Sequence, residues 1–296
     1  MEPVLELRSA GLYCPAGDFY IDPWGRVDRA VITHGHADHS RPGMGHYLAH
    51  PLTIPIIRYR LAPEAPVQAL EYATPLRVGD AVVSFHPAGH IPGSAQVRVE
   101  VGGEVWVVSG DYKLEDDGIS TPFEPVRCDT FISESTFGLP LFRWEPQARV
   151  FDRINGWWAE NSSAGRLSVL VGYSLGKAQR LLAHLDRSIG PVFAHGAVAG
   201  TCDVLRNAGV PLPPLDRLGR DVRKTELRQG LLIIPPSALA GRWLNKFAPF
   251  SVGYASGWMS LRGMKRRRGI EHGFVLSDHV DWPALLAAVE GTGCSR

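Results

Sequence analysis

The chain has 296 residues, 45% of them hydrophobic and 21% charged, with a formal net charge of +1. This composition excludes a disordered tail and a polycation, so a nucleic-acid partner would have to meet a local basic patch. No run of eighteen apolar residues occurs, and the first residues lack the basic start and apolar stretch of a signal peptide, so a cytoplasmic protein is expected.

Short strands separated by turn chemistry are predicted first. Ala30-Val31-Ile32-Thr33 is rich in β-branched side chains and runs into a histidine cluster. Ala81 to Phe85 and the alternating Gln96 to Val101 follow. Val105 to Ser109 is nearly all apolar, as in a strand covered on both faces. Phe131-Ile132-Ser133 is another short buried strand. The pattern then changes. Residues 146 to 160 carry Ala148, Phe151, Ile154, Trp157 and Trp158 at helical spacing. Strands are predicted at Leu167 to Val171, Val192 to Ala194 and Leu231 to Ile234, with a helix after Lys177. This alternation predicts a parallel α/β unit over about residues 138–270. Phe274-Val275-Leu276 is expected to return to strand in the first domain, and Trp282 to Val289 to helix.

His34-Gly35-His36-Ala37-Asp38-His39 places four potential ligands in six residues, straight after a buried strand. In an extended-to-loop segment, His34 and His36 can converge on one divalent ion, and Asp38 and His39 on a second. Further candidates end later strands: His90 in Gly89-His90-Ile91, Asp111 after Ser109-Gly110, Glu134 after Ser133, and His279 in Ser277-Asp278-His279. Polar residues that end separate buried strands tend to share one rim of a sheet, where sites are built. Cys14, Cys128, Cys202 and Cys294 form no Cys-x-x-Cys pair, so they read as reduced thiols and exclude a zinc ribbon.

With these residues the sequence resembles the metallo-β-lactamase superfamily, Asp22 in Tyr20-Ile21-Asp22-Pro23 matching its early structural aspartate. Glu134 in Ser133-Glu134-Ser135-Thr136-Phe137-Gly138 and His279 in Ser277-Asp278-His279-Val280-Asp281 resemble the first two extra motifs of the β-CASP nucleases. Gly172 to Arg180, Pro235-Pro236-Ser237 and Ala255 to Met259 look similar to bacterial ligase-associated DNA exonucleases. The resemblance implies an α/β fold: an αββα sandwich in residues 1–137, an inserted α/β domain in 138–270, and a return in 271–296. It implies one or two zinc ions, with manganese as the alternative. His34, His36 and His90 would hold the first ion, Asp38 and His39 the second, and Asp111 would bridge them. Divalent ions lower the pKa of water and neutralise phosphate charge. Asp38, Glu134 and His279 form the implied catalytic group. His279, oriented by Glu134, would be the general acid; a histidine titrating near neutrality suits that task. In many members a third motif supplies a histidine to the second ion. No histidine follows His279, so the expectation is a truncated sequence or a weakly bound second ion.

The implied substrate is DNA, with RNA as the alternative, in repair beside a DNA ligase and helicase. A catalytically silent nucleic-acid-binding scaffold is a reading from another class. Lys177, near a predicted helix N-terminus, and the run Arg262, Lys265, Arg266, Arg267 and Arg268 are the candidate phosphate contacts. Trp243, Phe247, Phe250, Tyr254 and Trp258 precede the run, as stacking candidates or as core.

Overall fold

The computed structural model describes residues 3–218, 224–240, 242–261, 263 and 270–296. The basic run Arg262, Lys265, Arg266, Arg267 and Arg268 lies outside the described residues. The fold is mixed α/β, and the chain divides into two compact units. One comprises Met1–Leu141 with His279–Arg296, the other Phe142–Asp278.

Among the described residues, the first unit contains two sheets. One has six strands in the order Glu6–Arg8, Gly11–Cys14, Phe19–Ile21, Arg29–Val31, His46–Ala49 and Val67–Ala69. Its first three strands are antiparallel and the rest parallel. The other runs Thr130–Ile132, Glu104–Val108, Ala95–Val101, Ala81–Pro87 and Leu76–Val78. The alternation of Gln96 to Val101 sets its register, with Val97 opposite Phe85 and Val99 opposite Val83. These four side chains are fully buried against Cys14, Phe19, Ile21, Val31 and Leu48 of the first sheet. The two sheets therefore share one apolar core, each such side chain contributing about 1.5–3 kcal/mol by leaving water.

Helices cover the outer faces. Ile54–Arg60 buries Ile57 against Ala30, Ile32, Tyr47 and Ala49. Trp282–Thr292 packs Ala284, Leu285 and Ala288 against Tyr112, Phe123, Phe131 and Val280. Its start is set by Asp281, whose carboxylate accepts from the Ala284 N–H at 3.1 Å, and by Pro283 in the first turn.

The strand directions place the ligand candidates. Ala81–Pro87 and Glu104–Val108 are each antiparallel to Ala95–Val101, and Thr130–Ile132 is parallel to Glu104–Val108. All three thus end at one edge, where His90, Asp111 and Glu134 follow them. The Ala95 N–H donates to the Thr33 carbonyl at 2.8 Å, tying the exit of Arg29–Val31 to the same edge.

The second unit has a six-stranded, all-parallel sheet in the order Asp216–Arg217, Val192–Ala194, Leu231–Ile234, Leu167–Val171, Phe250–Ala255 and His272–Phe274. Leu167, Val169, Val171, Leu232 and Ile234 are fully buried in its core. The helices include Gln147–Ser163, Lys177–His184 and Gly196–Asn207. Phe274, expected in the first unit, lies in the second. His272–Phe274 adds to the second unit's sheet, with Tyr254 opposite Gly273 and Ala255 opposite Phe274. A short apolar run identifies a strand but carries no information about which parallel neighbour it joins. The unit consequently ends at Asp278, beyond the residue 270 read from the sequence.

Candidate metal centre

His34 and His36 leave the strand Arg29–Val31 on a loop held by Arg60, whose Nη1 donates to the Gly35 carbonyl at 2.6 Å and to Ser40 Oγ at 3.1 Å. His90 sits in a tight turn in which Ser94 Oγ accepts from the His90 and Ile91 amides. Glycine makes the close approach of these loops feasible. Gly89 has φ +70° and Gly110 φ +56°; a Cβ on Gly110 would stand 2.7 Å from Thr33.

His34, His36, His90 and Asp111 each offer one ligand atom within 4.8 Å of the others. His36 Nδ1 is 3.0 Å from His34 Nε2 and 3.1 Å from His90 Nε2, and Asp111 Oδ2 is 3.4 Å from His34 Nε2 and 3.6 Å from His90 Nε2. Tetrahedral zinc with Zn–N of about 2.0–2.1 Å would set its donor atoms roughly 3.3 Å apart.

Proton accounting shows what the pocket needs. Asp22 Oδ2 accepts from Thr33 Oγ1 at 2.5 Å and from His39 Nδ1 at 2.7 Å, and Asp22 Oδ1 accepts from the Thr33 amide. Thr33 has thereby committed its one hydroxyl hydrogen. The His34 Nδ1 contact to Thr33 Oγ1, 3.0 Å, must then be donated by the ring. Both His34 and His39 therefore turn an Nε2 lone pair toward Asp111 Oδ2, at 3.4 and 3.5 Å. Acceptors that face each other in a buried site call for a cation between them. A proton can occupy the same place. Burial disfavours charge on His39, but Asp22 and Asp111 outweigh it and raise the ring to about 11. Burial would likewise raise the Asp111 carboxyl, yet His39, His34, His90 and His279 hold it well below the usual carboxylate range. His34, fully buried, is kept neutral by burial, then by its charged neighbour His39.

Asp38 is less drawn in. Its Oδ2 is 3.9 Å from His39 Nε2 and its side chain is 75% exposed. A second ligand group comprises Asp111, Glu134 and His279. His279 Nδ1 donates to Glu134 at 2.8 and 3.1 Å and stands 3.9 Å from Asp111 Oδ2. The other side of the carboxylate is fixed by the Tyr112 N–H, which donates to Glu134 Oε1 at 2.8 Å. The structure thus brings His34, His36, His39, His90, Asp111, Glu134 and His279 together, with Asp38 at the margin and Asp22 behind His34 and His39. Thr33, Arg60, Ser94 and Tyr112 support this arrangement without any motif to mark them; only Thr33, between strand and cluster, had a position that could have singled it out.

Lys177, a candidate phosphate contact by sequence, is buried. Its side chain is only 5% exposed, and its Nζ donates to the Leu276 carbonyl at 2.8 Å and pairs with Asp278 at 2.7 Å. The helix start turns the ammonium inward, onto these two partners. His195 caps the helix Gly196–Asn207, its ring accepting from the Ala197 N–H. Trp243, Phe247, Phe250 and Tyr254 pack in or against the second unit's core, while Trp258 is 39% exposed.

Comparison with known proteins bears on the same stretch of chain. No protein-family model matches it. A protein named probable DNA ligase, from Opitutus terrae, is 30% identical over 290 residues, which cover 97% of this chain and 28% of that protein. Proteins named endoribonuclease Ysh1 match more locally. That of Aspergillus fumigatus is 31% identical over 61% of this chain and 22% of its own length. That of Yarrowia lipolytica is 30% identical over 40% and 14%. The chain spans less than a third of the length of these curated relatives. A crystal structure of a protein of unknown function from Enterococcus faecalis shares the fold, with a TM-score of 0.62 at 13% identity, covering 90% of this chain and 73% of that one. Among the described residues no helix is long and apolar enough to cross a membrane.

Proposed function

We propose that the chain is a metal-dependent nuclease of the metallo-β-lactamase fold with a β-CASP insertion, hydrolysing phosphodiesters at DNA ends in repair beside a ligase. One observation carries this reading. Asp111 stands among the inward-facing histidines and also 3.9 Å from a histidine–glutamate pair. An ion site and a proton donor on one carboxylate suit phosphodiester cleavage, in which one oxygen attacks and another departs.

His34, His36, His90 and Asp111 would hold one ion; Asp38, His39 and Asp111 would hold a second. Nitrogen-rich donors suit zinc, and the more carboxylate-rich second set also suits manganese. A bound divalent ion lowers the pKa of water and neutralises charge on the phosphate oxygens. Asp22 and Thr33 fix the tautomers of His34 and His39, so that each keeps Nε2 as an acceptor. Glu134 accepts from His279 Nδ1, so the proton that an imidazolium can transfer is the one at Nε2, given to the departing sugar oxygen. Asp38, exposed at the rim, would contribute its carboxylate to the second ion.

The ligase-named relative supports DNA as substrate, and the endoribonuclease-named relatives favour RNA as a second reading. Metal content and digestion of end-labelled DNA and RNA by one preparation test both. Stoichiometric metal and DNA shortening that His36→Ala abolishes are expected. Turnover by a metal-free preparation, or metal without hydrolysis of either polymer, would remove the proposal; preference for RNA would move it to the second reading.

A further inference from the structure

The second unit buries an ionic cluster that the proposed chemistry leaves unused. Lys177 and Arg180 lie three residues apart on the helix Lys177–His184, hence on one face. They are 4% and 1% exposed, and Asp278, their partner, is 6% exposed. Arg180 is oriented by Gln147, whose Oε1 accepts from Nε at 2.9 Å and from Nη2 at 2.6 Å. Together the two cations grip three successive residues. Lys177 Nζ donates to the Leu276 carbonyl at 2.8 Å, Arg180 Nη1 donates to the Ser277 carbonyl at 2.5 Å, and both pair with Asp278 Oδ1, at 2.7 and 3.2 Å. The next residue in the chain is His279.

Stability alone does not account for such a cluster. Two buried cations on one carboxylate carry a desolvation cost that apolar side chains of similar volume would avoid. What the cluster provides is definition: the chain entering His279 is held at two carbonyls and one side chain, all by one helix. We infer that Lys177, Arg180 and Asp278 are positioning residues for the general acid, setting the backbone from which the His279 imidazole is presented to the departing oxygen. This rests on the role proposed above for His279.

The test uses the full chain with bound metal and two substrates. Cleavage of DNA needs a proton on the departing sugar oxygen. Cleavage of thymidine 5′-p-nitrophenyl phosphate does not, because nitrophenolate leaves unprotonated. For Asp278→Ala, DNA turnover should fall about 10–100-fold in kcat with KM and aryl-ester turnover within about threefold of the parent, as expected when a proton donor is displaced by about an ångström. Asp278→Asn, which keeps an acceptor at Oδ1, should recover most of the loss. A parallel fall on both substrates, or no fall on either, overturns the inference. His279→Ala serves as the reference. If it shows no selectivity between substrates, the general-acid reading fails, and the positioning claim is then judged by amide hydrogen exchange. In Lys177→Met, faster exchange confined to the segment around residues 276–280 upholds the claim, and unchanged or globally faster exchange ends it.

Discussion

The two units bury charge in opposite ways. Around Asp111, the Nε2 lone pairs of His34 and His39 and the carboxylate oxygen face one another, an arrangement that a cation would complete. Around Asp278, two cations, one carboxylate, two carbonyls and the Gln147 amide oxygen complete one another within the chain. Both sets are largely hidden from water, with side chains 0–20% exposed around Asp111 and 2–9% around Asp278. Burial therefore does not separate a ligand site from an internal strut; the balance of donors against acceptors does. Lys177 illustrates the point, because a lysine at a helix start reads as a phosphate contact until its ammonium is found committed to Asp278.

The largest effects should break this contrast directly. Asp111→Ala or His36→Ala should lower nuclease turnover by about 10⁴-fold, about 5 kcal/mol of transition-state stabilisation, and remove stoichiometric metal from the purified protein. A variant that keeps its metal and its rate would show that the acceptors do not serve an ion. The second unit should respond in stability. Asp278→Ala removes the carboxylate that Lys177 and Arg180 share and should cost about 3–5 kcal/mol in denaturant unfolding, whereas replacing Lys177, Arg180 and Asp278 together by apolar residues should cost far less. Added metal should not offset the single loss. Equal losses in the single and triple variants would mean that packing, and not charge balance, holds that cluster.

His50 sharpens the comparison with a third arrangement, in which burial acts almost unaided. Its ring stacks on Tyr72 at 3.9 Å, and burial lowers it to about 4. Glu71, 3.6 Å away, is 71% exposed and too well solvated to reverse this. The fold therefore favours neutral His50. The associated stability is present in full above the unfolded value of about 6.5 and drains away as pH falls from there through 4. The difference amounts to about 3 kcal/mol. Comparing the unfolding free energies of the parent and His50→Gln at pH 7 and pH 4.5 checks it: the gap between them should narrow by most of that amount. A gap independent of pH would refute the assignment.

Much of this was legible in the sequence, for identifiable reasons. Strand alternation in Gln96 to Val101 fixed which valines face the core, and the apolar runs Leu167 to Val171 and Leu231 to Ile234 gave strands with those bounds. The cluster from His34 to His39 stood out because six residues carry four side chains able to ligate a metal; the structure gathers His34, His36 and His39 and leaves Asp38 at the margin. The neighbourhood of His90, Asp111, Glu134 and His279 was reachable through resemblance, although only strand direction explains why they meet. Three features had no local signal. The strand His272–Phe274 joins the second sheet through a parallel ladder, whose partners are set by tertiary packing. The inward turn of Lys177 depends on Asp278, about a hundred residues away. Arg60 secures the Gly35 carbonyl from a helix that carries no other part of the site.

The smallest expected effect tests the tautomer argument itself. Asp22 serves both His34, through the Thr33 hydroxyl, and His39 directly. Asp22→Asn can still accept through its amide oxygen, but it loses the negative charge and an acceptor, and its amide group must donate. With that NH₂ in the place of Oδ2, the Thr33 hydroxyl and His39 Nδ1 both lose their acceptor and both rings are released to the wrong tautomer; in the place of Oδ1 it faces the Thr33 amide, donor against donor. Metal affinity should fall about 10–100-fold while the fold is retained. Thr33→Val leaves the Asp22–His39 hydrogen bond in place and removes only the relay to His34. If His34 and His39 bind different ions, competition with a graded chelator should resolve the two variants. Thr33→Val should loosen the ion held with His36 and His90, and Asp22→Asn should loosen both. Identical loss profiles in the two variants would mean that the histidines act on one shared ion, and the division of ligands between two sites would have to be abandoned.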